Sequence, residues 1–184
     1  RPRSEQPGIA MPVDELFRSL AEDCGANAIG VVLSGTGSDG ALGLQAIKGE
    51  GGITFAQEEA SARFAGMPRA AIELGCVDFV LPPREIAKEL TRIGRHPYLA
   101  AAADPAAIES VTDDEHSLKR IFRTLRGHSR VDFSRYKRPT VTRRLGRRMA
   151  LHQLDKLHEY ADFLEATPGE ARALYDDLLI RVTG

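Results

Sequence analysis

The spacing of apolar residues changes partway along this chain. Val13, Leu16, Phe17, Leu20, Ala21 and Cys24 recur at helical intervals and Gly25 follows as a stop, which predicts a first helix. Ala28 to Leu33 is a continuous apolar run of strand length. A loop holding Gly35, Gly37 and Gly40 then leads into a helical pattern from about Ala41 to Lys48, broken by Gly49, Gly51 and Gly52. Ile53 to Ala56 predicts a second short strand. Pro68 suits the first turn of a helix to Leu74, which Gly75 ends. Val77 to Leu81 predicts a third strand, and Pro82-Pro83 opens a helix to Ile93. Short strands alternating with helices imply parallel pairing with helices on the faces.

Gly94 to Asp114 is rich in Ala, Pro and acids and lacks a sustained apolar stripe, so it reads as a linker with a short helix near Pro105 to Val111. Beyond it every pattern is helical. Leu118, Ile121, Phe122 and Leu125 mark one helix, with Gly127 as its end. Val141, Leu145 and Met149 mark a second, capped by Asp132 or Ser134. Leu154, Leu157, Tyr160, Ala161 and Leu164 mark a third, broken at Pro168-Gly169. Ala171, Leu174, Tyr175, Leu178 and Leu179 mark a fourth. The fold class expected is thus an incomplete three-layer α/β/α domain with a partial parallel sheet, followed by an all-α helical bundle. The division is 1–93 for the α/β part, 94–114 for the linker and 115–184 for the bundle.

Composition adds exclusions. At 184 residues the chain can bury a real core. No apolar run has the length of a membrane span, and the polar start has no signal-peptide pattern, so a cytoplasmic protein without membrane insertion is expected. Cys24 and Cys76 are isolated in apolar surroundings and read as small core residues; neither they nor the five histidines have metal-ligand spacing. The net charge of −1 hides an asymmetry. Residues 1–114 hold 10 Lys/Arg and 17 Asp/Glu, whereas residues 115–184 hold 15 and 9. Such a split suggests modules with different partners.

Two segments carry candidate chemistry. Gly35-Thr36-Gly37-Ser38-Asp39-Gly40 has the G-x-G-x-x-G outline of a dinucleotide loop, with Glu58 and Glu59 about twenty residues on. An acid inside that loop would repel a pyrophosphate at the helix N-terminus, so a tight turn is the better reading on pattern alone. Asp39 is then either a helix cap or a member of a catalytic set. The second segment runs from Lys119 to Arg148 and holds twelve Lys/Arg against one acid, Asp132. Arg143, Arg144, Arg147 and Arg148 fall largely opposite Val141, Leu145 and Met149, leaving one face for packing and one for guanidinium groups. Guanidinium forks suit carboxylates and phosphates. A nucleic-acid-binding helix is the alternative, weakened by the scarcity of aromatics to stack on bases.

The order of motifs extends both readings. The glycine loop with Asp39, Gly51-Gly52-Ile53-Thr54, Gln57-Glu58-Glu59, Gly66-Met67-Pro68-Arg69-Ala70-Ala71 and Gly75-Cys76-Val77-Asp78 resemble the C-terminal part of the chemotaxis protein-glutamate methylesterase domain, over roughly Met11 to Ile93. The resemblance implies that Asp39 is the acid that orients a histidine, which in turn activates a serine. Thr36 stands where that family usually has Met. The family's Ser and His lie upstream of this Asp, and residues 1–95 contain no histidine. A Ser–His–Asp hydrolase needs all three groups within hydrogen-bond reach, so no ester hydrolysis is expected of this chain alone.

Val131-Asp132-Phe133-Ser134-Arg135-Tyr136-Lys137, Thr140, Arg143-Arg144, Arg147-Arg148-Met149, Glu159-Tyr160 and Leu178 to Thr183 resemble the N-terminal helical domain of the chemotaxis receptor methyltransferase. That resemblance implies a docking module whose Arg143, Arg144, Arg147 and Arg148 face the glutamate-rich cytoplasmic helices of a chemoreceptor. It also implies a methyl donor, S-adenosyl-L-methionine, for the full-length enzyme, with Thr183 touching it, though none is expected to bind this piece. Arg181 stands where Asn is common in that motif. The chain is therefore expected to be the join of a fused esterase and methyltransferase.

Overall fold

The computed structural model describes residues 11–96, 114–129 and 131–179. Most of the expected linker, including its short helix, lies outside these residues, as does Thr183.

The first part alternates as its periodicity requires: α1 (Pro12–Cys24), β1 (Ile29–Val32), α2 (Ala41–Gly49), β2 (Ile53–Gln57), α3 (Gly66–Glu73), β3 (Phe79–Leu81) and α4 (Pro83–Ile93). The strands pair in parallel in the order β1-β2-β3, with Ile29 opposite Ile53 and Phe55 opposite Phe79. Strand alternation sends side chains to opposite faces. Val32 joins Ala21, Leu44, Ile47 and Ala71 under α1, α2 and α3. Ile29, Val31, Ile53, Phe55 and Phe79 pack on the other side with Ile86 and Ile93 of α4. The sheet is therefore covered on both faces, and β2 is buried along its whole length. β3 starts two residues later than the apolar run, because the Asp78 side chain crosses to Thr54, accepting from its amide and hydroxyl at 2.9 Å.

The second part is a four-helix bundle: α5 (Glu115–Ser129), α6 (Arg138–His152), α7 (Leu157–Ala166) and α8 (Pro168–Leu179). Leu125, Leu145, Met149, Tyr160 and Leu174 form its centre. Asp114 caps α5, accepting from the amides of His116 and Ser117. α5 runs through Gly127, since one glycine in a packed helix costs only about 1 kcal/mol. Asp132 caps a short 3-10 turn, Phe133–Arg135, and α6 begins after it with Pro139 in its first turn. Cys24 departs from expectation: it ends α1 and is exposed, whereas Cys76 is buried.

The two parts share a core. Ala150 is fully buried among the α4-side residues of the sheet, with Leu151 packed beside it. α6 thus belongs to both units: Val141, Leu145 and Met149 face the bundle, and Ala150 faces the sheet. At the helix ends, Arg92 donates to the carbonyl of Ala150 at 3.1 Å, and the His96 ring meets the carbonyl of Leu154 at 3.2 Å.

α1 and α2 are held by an exchange of carboxylates. Asp39, just before α2, accepts from the first-turn amides of α1, Val13 at 3.2 Å and Asp14 at 2.9 Å. Asp14 is buried and accepts from the amide of Gly43 in α2 at 2.7 Å. Each helix thereby satisfies orphan donors of the other. The plain reading of Asp39 as the cap of its own helix is corrected: it caps the neighbouring one, because Gly40 at φ 93° turns the chain so that the carboxylate points to α1.

The close crossing yields a test. A Cβ on Gly43 would sit 2.5 Å from Cβ of Phe17 and 3.1 Å from Cα of Asp14. Gly43→Ala gains up to about 1 kcal/mol of helix propensity, but overpacking costs about 1–3 kcal/mol and also strains the Asp14 bond. Urea unfolding is expected to show net destabilisation.

Candidate functional site

The carboxyl ends of the strands in an open α/β sheet are where chemistry gathers. Here two loops meet at that end. Ser34 donates its amide to Oε1 of Gln57 at 2.9 Å, and its hydroxyl accepts from the amide of Phe64 at 3.0 Å. The amide of Gly35 donates to the carbonyl of Phe64, and the amide of Met67 to the carbonyl of Gly35. The loop is a fixed shelf, on which Thr36 and Ser38 are exposed and Asp39 is half-buried. Ser34 spends its hydroxyl on loop closure.

The Asp39 carboxylate is positioned through both oxygens by the α1 amides, at the positive end of that helix. A carboxylate has about four lone-pair sites, so room remains for an imidazole N–H. The histidines that the structure places in contacts sit elsewhere: His96 beside Leu154 and Asp155, and His152 beside Glu170.

The geometry weighs against a dinucleotide loop. The amide of Gly43, in the first turn of α2, already holds the Asp14 carboxylate, so an anion is built into the place a pyrophosphate would need. Glu59 is paired with Arg69 at 2.6 Å on the surface.

The four arginines of α6 are not a solvent-facing row, which corrects the two-faced helix expected from spacing. Arg144 is 1 % exposed; it donates to the carbonyl of Lys48 at 2.8 Å and to that of Gly49, at the negative end of α2. Arg147 is wholly buried. It donates to the carbonyl of Gly52 at 3.0 Å, to Asp177 of α8 at 2.5 Å and to Asp78 of the sheet unit at 2.5 Å. Arg148 forks onto Glu170 within the bundle and lies 3.8 Å from Asp177. Arg143 retains most exposure, 23 % of its side chain, with Glu50 at 4.0 Å. The physical reason is that α6 has no free face: one side fills the bundle and the other lies on the sheet unit. This burial also removes the phosphate-facing row that a nucleic-acid reading requires.

The carboxylates that receive these arginines escaped the sequence reading. Asp78 has a signal, a lone acid inside the otherwise apolar run Val77 to Leu81. Asp177 and Glu170 look like ordinary surface acids of helical segments and are 3 % and 4 % exposed, respectively. Together the groups form an alternating chain, Lys48–Asp78–Arg147–Asp177–Arg148–Glu170, which ends on His152 and the Tyr160 hydroxyl. Burial would push the Asp78 carboxyl up, but the Arg147 and Lys48 charges overcome it and hold it below the usual range. Burial likewise opposes the charge on Arg147, which Asp78 and Asp177 more than restore. Glu170 is drawn down to about 2: burial opposes this, and bonds with His152, Arg148 and Tyr160 prevail. Burial and the Glu170 charge push the Tyr160 phenol well up.

A parallel-sheet α/β unit with a clamped loop acid, continued by a helical domain, defines the class of this chain. Comparison with known proteins makes it particular. The CheB methylesterase family model matches residues 2–90, and the model of the CheR methyltransferase all-alpha domain matches residues 116–179. The two parts of the chain are therefore similar, in order, to the CheB methylesterase family and to the all-alpha domain of the CheR methyltransferase family. A Rhodobacter capsulatus protein described as an uncharacterized 104.1 kDa protein in hypE 3′ region is 36% identical over 193 residues, which is 95% of this chain and 20% of that protein. The protein-glutamate methylesterase/protein-glutamine glutaminase of Bordetella parapertussis is 55% identical over 83 residues, 45% of this chain and 24% of its own. The CheB methylesterase catalytic domain of Thermotoga maritima superposes with a TM-score of 0.45 at 34% identity, covering 47% of each chain. The chain thus spans about a fifth to a quarter of the length of these curated relatives. Among the described residues, no helix is long and apolar enough to cross a membrane.

Two outcomes follow from the ion chain. Arg147→Met removes the cation that bridges Asp78 and Asp177 and leaves these buried acids only Lys48 and the more distant Arg148, and a loss of about 3–5 kcal/mol is expected in urea unfolding. Adding Asp78→Asn and Asp177→Asn to it is expected to recover much of that loss. For pH, Glu170 titrates near 4.5 when unfolded and about 2 when folded. A depressed carboxyl contributes stability above its unfolded value, on the order of 3 kcal/mol here. That contribution is expected to fade as pH falls from about 4.5 towards 2. The stability gap between wild type and Glu170→Gln, followed by thermal melts, should narrow over the same window.

Proposed function

We propose that this chain is the junction of a bifunctional chemotaxis enzyme that both removes and installs methyl esters on receptor glutamates in the cytoplasm. The observation that carries the reading is the order of the two family segments in one polypeptide. The Rhodobacter capsulatus relative supports it, since its similarity runs across both halves. In the parent, Asp39 orients the histidine of a Ser–His–Asp triad whose other members lie outside residues 1–95. Its clamp on the α1 amides supports that role, because a triad acid must not rotate away from its histidine. The bundle docks on acidic receptor helices, with Arg143 the member of the arginine set nearest solvent. Methyl transfer in the parent draws on S-adenosyl-L-methionine, and Thr183 is the residue here assigned to it. This chain alone docks and does not turn over.

Hydrolysis of a methylated receptor fragment tests the esterase half. The isolated chain is expected to be inert, and Asp39→Ala in the parent enzyme is expected to lower kcat on the order of 10⁴-fold. Turnover by the isolated chain, or a parent indifferent to the substitution, would remove Asp39 from the reaction. Arg143→Glu tests docking: reversal of a rim charge is expected to weaken binding to an acidic receptor helix and flatten its salt dependence.

A further inference from the structure

The α6 arginines meet the α/β unit through the same chemistry that would grip an acidic helix. Arg147 takes a carboxylate, Asp78, and Arg144 takes the carbonyl end of a helix, Lys48 and Gly49 of α2. Both guanidinium groups are lost to solvent in the process. We propose that the α/β unit is an intramolecular competitor, seated on the arginine face of α6 so that an acidic helical partner engages the bundle fully only when the two units part. This inference rests on the docking reading above.

Three observations bear on it. First, the contact is electrostatically matched where α6 touches it: Asp78, Glu50 and the carbonyl end of α2 face Arg147, Arg143 and Arg144. Second, the seam between the units is open at one end. A cavity of about 350 Å³ lies there, lined by Gln45, Lys48, Gly75, Arg148, Asp176 and Asp177, so solvent reaches the ion chain from the side. An incoming carboxylate can therefore approach Lys48 and Arg148 before Asp78 lets go. Third, the apolar part of the contact contributed by α6 is modest, centred on Ala150 and Leu151, so the charged groups carry much of the closure. A contact made mainly of charges is the kind that a second set of carboxylates can replace.

The test uses the whole chain and a synthetic helical peptide with glutamates four residues apart. Asp78→Asn removes the competitor's charge and leaves every arginine in place. Binding to this variant is expected to be at least fivefold tighter than to wild type. Hydrogen exchange on wild type is the second readout: saturating peptide is expected to deprotect residues 49–54, the segment whose Gly49 and Gly52 carbonyls accept from Arg144 and Arg147 in the closed state. An Asp78→Asn affinity equal to or below wild type, in a protein whose binding still falls with Arg143→Glu, overturns the competition and leaves docking intact. Binding that ignores both substitutions overturns the docking reading and the competition with it. Should Asp78→Asn fail to fold, the exchange result decides alone, and unchanged protection of 49–54 with peptide bound defeats the proposal.

Discussion

A guanidinium group with no access to water needs compensation on every side, and Arg147 meets that condition only where the two halves of this chain touch. Its forks reach Asp177 within its own bundle, then Asp78 and the Gly52 carbonyl across the boundary. Neither half satisfies it alone. Moving an ion of this size out of water costs several kcal/mol even after relaxation, so parting the units means rehydrating Arg147, Asp78 and Lys48 together. The rest of the architecture is arranged around this point. α6 lies between two cores, α8 is pinned to it by Asp177 and Glu170, and the C-terminal end of α2 is capped by Arg144.

At the other end of the sheet, a second pair of carboxylates does comparable work at smaller cost. Asp39 and Asp14 bond backbone amides rather than side-chain cations, so no second charge must be desolvated. The exchange fixes α1 against α2 and aims the glycine loop. It also leaves one acid able to hold two helices together and still accept a further hydrogen bond. Two amides hold the carboxylate from the α1 side, and its remaining lone pairs are available to a donor arriving from elsewhere. The same exchange disposes of the G-x-G-x-x-G reading, because a buried acid already occupies the anion position of α2.

Much of the fold was legible because it rests on periodicity. The strands at 29–32 and 53–57, the helix from Ala41 and the four bundle helices lie where the apolar spacing put them. What periodicity could not show was the second side of α6. A helix with Val141, Leu145 and Met149 on one face and arginines on another looks solvent-facing in isolation, since charge runs commonly are. Only the partner distinguishes a solvated arginine from a buried one, and that partner, Asp78, lies 69 residues away in sequence. Cys24 fails for a simpler reason: it ends its helix, beyond the reach of the core that buries Ala21. Asp39 was visible as the one acid of the loop, but its direction depends on the left-handed turn at Gly40.

The opposed charges of the two segments then take on a different meaning. Taken separately, an acidic α/β piece and a basic bundle suggest two unrelated partners. In the folded chain part of that asymmetry is met at their boundary, where Asp78 and the carbonyl end of α2 meet Arg147 and Arg144. An arginine face does not encode which carboxylate it will hold; geometry and local concentration decide. A tethered carboxylate has a large advantage in concentration over a free one. Any external acidic helix must therefore supply more contacts, or more charge, than the chain already supplies to itself.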